Sequence, residues 1–254
     1  MLAKEAEMAL GPLPAAIWRV LLLVVERTRV DVGGHVYEAA LASDDAARAR
    51  EVFGHLPALA KSDSAGLVQI LAETKQIQGP VQACEWSEAD RGFHLTAHGS
   101  AELLKAYSNG RDFDSIIVRW PPPIGVPGKE HEIIGWGGDL LDSGVTLADI
   151  SREANDPRPG EAYLHEWLHG VISYMRKRGA VCELPLVGCK SLVDAGETLH
   201  FERSEATGWQ DFLQRLMTGR LNLGWHSCGI DDRLWRGCQP PTCRHHGGPH
   251  GLPF

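Results

Sequence analysis

Glu161-Ala162-Tyr163-Leu164-His165-Glu166-Trp167-Leu168-His169-Gly170-Val171-Ile172-Ser173-Tyr174-Met175-Arg176-Lys177-Arg178 is the stretch on which the reading of this chain turns. Leu164, Leu168, Val171, Ile172 and Met175 recur at helical spacing, which predicts one amphipathic helix over 160–178. The lead-in, Asn155 to Gly160, is rich in turn formers and offers Asn155 and Asp156 as caps. Arg176, Lys177 and Arg178 fill the last turn, where cations suit the negative end of the helix dipole, and Gly179 follows where a C-cap glycine would stand. Inside this helix lies His165-Glu166-Trp167-Leu168-His169, the pattern H-E-x-x-H. Two imidazoles four residues apart share one helix face and can grip a zinc ion. The glutamate between them can act as general base on a water that the metal activates. The competing reading is a surface helix with two solvated histidines. The apolar stripe beside His165, Glu166 and His169 argues against it.

A catalytic zinc takes three protein ligands and keeps a fourth position open. The extended form with a third histidine six residues on is absent, because the chain after His169 runs Gly170-Val171-Ile172-Ser173-Tyr174-Met175. The third ligand is therefore expected downstream, in Asp194-Ala195-Gly196-Glu197-Thr198-Leu199-His200-Phe201-Glu202. His200 is the first choice and Glu197 the second, with Asp194 and Glu202 also on offer. Asp194 has a second possible role, holding His165 and His169 in orientation from outside the coordination sphere. Tyr163 and Tyr174 flank the motif, and packing is the reading preferred for both.

The segments His165 to Gly170, Asp194 to Glu197 with His200, Gly208-Trp209 and Leu216 to Arg220 together resemble a poorly characterised group of zincin-like metallopeptidases. Asp112 to Pro121, Gly135 to Gly138 and Gly144 to Ala148 are similar to the strands such proteins place before the zinc helix. The resemblance runs over residues 17–225. It implies an α+β fold: a twisted mixed sheet packed on an active-site helix, and a smaller C-terminal part carrying the third ligand. It also implies Zn2+ as cofactor, a peptide or protein as substrate, and Glu166 as the catalytic base. Phe201 follows the downstream ligand region, so no tyrosine there can steady an oxyanion.

The apolar run from Leu10 to Val25 is broken by Pro12, Pro14 and Arg19, which excludes a spanning helix. Glu5 and Glu7 beside Lys4 spoil a signal-peptide start. Trp18 to Val25 reads better as a buried first strand. The expected elements continue with a helix near 44–55, an apolar segment near 67–78, a strand near 80–86 and a helix near 99–107. Strands near 115–120 and 132–136 and a helix over 209–219 complete the set. The expected division is 1–179 ending in the H-E-x-x-H helix, 180–225 with the third ligand, and a Cys/His-rich tail at 226–254. Gly135 to Gly138 and Gly144 to Ala148 are also weighed as an edge strand that could take up an extended substrate, with a glycine-rich turn as the alternative.

The 254 residues carry a formal charge of −8, and no basic stripe interrupts it, which disfavours nucleic acid as a partner. Of six cysteines, Cys182, Cys189, Cys228, Cys238 and Cys243 crowd the last third. They permit disulfides, or a second metal site with His226, His245, His246 and His250. Compartment, oligomeric state and substrate sequence stay open at this level. Two other functions also stay open: a non-catalytic binding module on the same fold, and a zinc hydrolase of non-peptide substrates.

Overall fold

A computed structural model describes residues 15–82, 85–95, 100–108, 112–141, 144–176, 191–222 and 227–237. Its central element is β1 (Ala16–Val32). Trp18, Val20, Leu22 and Val24 of β1 enter one apolar core, whereas Leu21, Leu23 and Val25 enter another on the opposite face. A strand covered on both faces needs apolar residues at every position, which is why this run lacks the usual alternation.

A two-residue turn at Gly33-Gly34, with φ of 64° and 83°, folds β2 (His35–Ala40) back antiparallel on β1. Only glycine adopts two such angles in succession without strain. The chain then crosses over through α1 (Ser43–Phe53) and α2 (Leu56–Asp63) to β3 (Val68–Gln82), which pairs parallel to β1. A small hairpin follows, β4 (Glu85–Ser87) and β5 (Gly92–His94), and then α3 (Ala101–Ser108). Next come β6 (Ser115–Arg119), β7 (Gly135–Leu140) and β8 (Thr146–Ile150). The sheet runs β3-β1-β6-β8-β7, with β2 beside the C-terminal half of β1 on the β6 side. β1, β3, β6 and β8 are parallel, and β7 closes one edge antiparallel to β8. The protein is thus mixed α+β around a mixed sheet.

α4 (Glu161–Arg176), α5 (Gln210–Met217) and α6 (Asp232–Gly237) lie on the Trp18 face together with α1 and α2. Between α5 and α6, β9 (Leu221–Asn222) and β10 (Ser227–Cys228) form a short ribbon. The other face is covered by Phe93, Leu95, Leu104, Phe113 and Trp120. Among the described residues, no helix is long and apolar enough to cross a membrane.

Several expectations shift. α2 is an addition to the expected elements; its Pro57 occupies the first helical turn, where the missing N–H costs nothing. The segments expected at 67–78 and 80–86 are largely one strand, β3. The strand expected at 132–136 is β7, a few residues later. β8 is an interior strand, so Thr146 to Ala148 cannot serve as a sheet edge.

The tail expected from residue 226 begins as packed structure: Cys228, Ile230 and Trp235 are buried in the core that holds α4. Trp235 stacks on Trp167 at 5.9 Å, and its Nε1 donates to the Met217 carbonyl at 2.8 Å. An indole of that size is strongly driven out of water and is held where its N–H finds an acceptor. Cys84, Cys182, Cys189, Cys238, Cys243, His226, His245, His246 and His250 lie outside the described residues, as does the boundary expected at 179/180.

Candidate metal centre

The first turn of α4 is tied down by charge. The Arg158 guanidinium donates to both Asp63 carboxylate oxygens at 2.9 and 3.0 Å and to Glu161 at 2.7 Å. Glu161 in turn accepts the Trp209 main-chain N–H at 3.0 Å. One guanidinium therefore joins the end of α2, the start of α4 and the approach to α5. Asp63 and Glu161 are both buried, so each carboxylate depends on its partners. Burial raises the Asp63 carboxyl, and Arg158 opposes that rise. Farther along, Trp167 Nε1 donates to Ser115 Oγ at 3.0 Å, and the Thr146 hydroxyl donates to the same oxygen at 2.7 Å. These bonds fix the rotation of α4 on the sheet.

With Leu164, Leu168, Val171, Ile172 and Met175 turned into the core, His165 and His169 emerge together. Their side chains are 31% and 14% exposed. β7 runs close beside them. A Cβ at Gly137 would lie 2.9 Å from the His169 Cβ and strike the Glu166 carbonyl; one at Gly135 would lie 2.9 Å from Glu166 Cγ. The glycines of β7 let the strand backbone lie close against the helix.

The third donor comes from irregular backbone. Leu192–Ala195 forms a 3-10 turn, capped by Ser191, whose hydroxyl accepts the Val193 N–H at 3.2 Å. Val193 and Ala195 are buried, and Asp194 between them faces outward onto α4. Its Oδ1 lies 3.3 Å from His165 Nε2 and 3.2 Å from His169 Nε2, and the two Nε2 atoms are 3.1 Å apart. His165, His169 and Asp194 could hold a metal ion. Burial alone would raise the Asp194 carboxyl; hydrogen bonds to both histidines and their charge outweigh it and hold it far below the usual carboxylate range.

Glu166 is 9% exposed. Burial is the chief cause that pushes its carboxyl up to about 8; His165 opposes the rise, and the charges of Asp149 and Asp194 add to it. A carboxyl so placed holds and releases its proton near neutrality.

His200, the first choice for third ligand, stands outside this group of donors, and the backbone is the reason. The chain reverses after Gly196, with the Phe201 N–H donating to the Gly196 carbonyl at 2.9 Å. That reversal leaves His200 exposed, at a left-handed φ of 62°. Glu197 and Glu202 are also exposed and stand outside the donor triangle. The Tyr163 hydroxyl donates to Glu153 at 2.9 Å, and the Tyr174 ring packs edge-on to Trp18 at 6.4 Å, so both phenols serve the core. Beside the triad opens a cavity of 190 Å³ lined by His165, Val193, Asp194, Gly196, Glu197, Trp209 and Phe212.

No family model matches the chain, and no curated protein matches it either.

Proposed function

We propose that this protein is a zinc-dependent peptide hydrolase of zincin-like fold, with His165, His169 and Asp194 as metal ligands and Glu166 as general base. The observation that carries the reading is the donor triangle, with sides of 3.1, 3.2 and 3.3 Å. A regular tetrahedron of that edge has its centre about 2.0 Å from each corner, the bond length zinc forms to histidine nitrogen and carboxylate oxygen. Two imidazoles and one carboxylate suit zinc, and three ligands leave a position for water. When bound there, zinc would supply polarisation of a water and of the scissile carbonyl.

The chain's own residues supply the rest. Glu166 lies between the two histidines in sequence, and its carboxylate is the group that would take a proton from the attacking water and return it to the leaving amine. β7 supports peptide as the substrate. It closes the sheet beside α4, antiparallel to β8, and an extended peptide can add to such an edge by main-chain hydrogen bonds.

Glu166→Gln tests the assignment. The variant is expected to retain its zinc while cleavage of a mixed peptide library falls by about 10²- to 10⁴-fold. Undiminished cleavage by Glu166→Gln would overturn the role of Glu166. A wild type that binds zinc and cleaves no peptide would overturn the peptide-hydrolase reading.

A further inference from the structure

We propose that the cavity beside the triad receives a lysine or arginine side chain of the substrate, held by apolar walls along its stem and by Glu197 at its cationic end. The inference rests on the peptide-hydrolase reading and names the residue class that site selects.

The walls are Val193, Gly196, Trp209 and Phe212. Val193 and Phe212 are buried, and a Cβ added at Gly196 would lie 2.8 Å from the Trp209 ring. The absence of a side chain there is therefore what lets the indole lie along the turn that carries Asp194. At 190 Å³ the cavity exceeds the roughly 150 Å³ that admits a benzene ring, so one side chain fits. Its polar lining is His165, Asp194 and Glu197. In the proposed site a bound metal engages His165 and Asp194, which leaves Glu197 as the one uncommitted charge in the lining.

Among the described residues, the two arginine side chains that next follow Glu197 in the chain are paired elsewhere. Arg215 pairs with Asp211 at 3.1 Å and lies over the Phe201 ring, and Arg203 pairs with Asp156 at 2.8 Å. None of the lining residues is a lysine or arginine. Apolar walls that include an indole, with one exposed carboxylate, together match a cation on a long apolar stem. An acidic side chain would meet repulsion from Glu197, and a purely aliphatic one would leave that carboxylate unused.

The test uses short peptides, acetylated and amidated at their ends, that differ at one position: arginine, lysine, norleucine or glutamate. Calorimetry measures their binding to the full-length Glu166→Gln chain with zinc added, and cleavage is followed on wild type. The arginine and lysine peptides are expected to bind about tenfold more tightly than norleucine, the combined worth of an exposed ion pair and a cation–π contact. Adding Glu197→Gln should remove the ion-pair share of that margin, and Glu197→Lys should turn the preference towards the glutamate peptide. A basic preference in binding without any cleavage would sustain the cavity's role and sink the hydrolase reading. Cleavage with no preference between arginine and norleucine would do the reverse. Peptides that bind only when their own α-amine is left free would also overturn the side-chain assignment.

Discussion

The two sources of the donor set differ in kind. His165 and His169 stand on α4, a sixteen-residue helix whose first turn is held by Arg158 and whose middle is pinned by Trp167 to Ser115. Asp194 stands on a single 3-10 turn held by its Ser191 cap and by two buried neighbours. Helix geometry sets the distance between the histidines, because any residues i and i+4 share a face. The position of Asp194 follows from where one turn happens to fall against that face. The proposed metal site thus has a rigid half that would fix its geometry and an irregular half that would complete it.

That contrast can be broken first at its rigid end. Arg158→Met leaves Asp63 and Glu161 buried without their cation, and loss of one partner from a buried ion pair costs about 3 to 5 kcal/mol. Urea denaturation should report that loss; a change within experimental error would mean that α4 is held by its apolar face alone. Gly137→Ala probes the same half from the strand. The added methyl is driven towards the His169 Cβ, and overpacking of this kind costs about 1 to 3 kcal/mol. A zinc titration of this variant should show weakened affinity as α4 and β7 are pushed apart. Unchanged affinity would show that the strand does not set the histidines' positions.

The third change is subtler. Asp149 is fully buried on β8, and burial raises its carboxyl from 3.8 to about 7 against the hydrogen bond from the Leu95 N–H. A carboxyl that binds its proton more tightly folded than unfolded makes the fold less stable as pH rises through the interval between those values. Asp149→Asn cannot ionise and keeps an acceptor for Leu95. Wild type should therefore gain on Asp149→Asn as pH falls from 7 to 4, by about 1.4 kcal/mol per unit at most. Denaturation midpoints of both proteins at the two pH values check this, and a gap that stays constant contradicts it.

The same contrast marks what the sequence made legible. Trp18 to Val25 and the stripe of α4 were readable, because burial imposes a period or a continuous apolar run on residues that must face a core. That His165 and His169 share one face of α4 was readable, because residues four apart on a helix stand side by side. The choice between His200 and Asp194 was not. Imidazole is the commoner zinc ligand, and side-chain chemistry alone favours His200. What keeps His200 away from His165 and His169 is the reversal after Gly196, a glycine over which the Trp209 ring packs. The one local hint was Ser191, a capping residue ahead of a Val193/Ala195 alternation that turns Asp194 outward. α2 was hidden by Pro57, which reads as a breaker until it is placed in a first turn. Trp235 was hidden among glycines and cysteines, where a single apolar residue carries no period.

In the proposed site Asp194, and not His200, is the third metal ligand. Zinc content per chain, measured by elemental analysis on wild type, Asp194→Ala and His200→Ala, tests it directly. Wild type and His200→Ala are expected to hold a single zinc each, and Asp194→Ala to lose it. Zinc retained by Asp194→Ala and lost by His200→Ala would contradict the account.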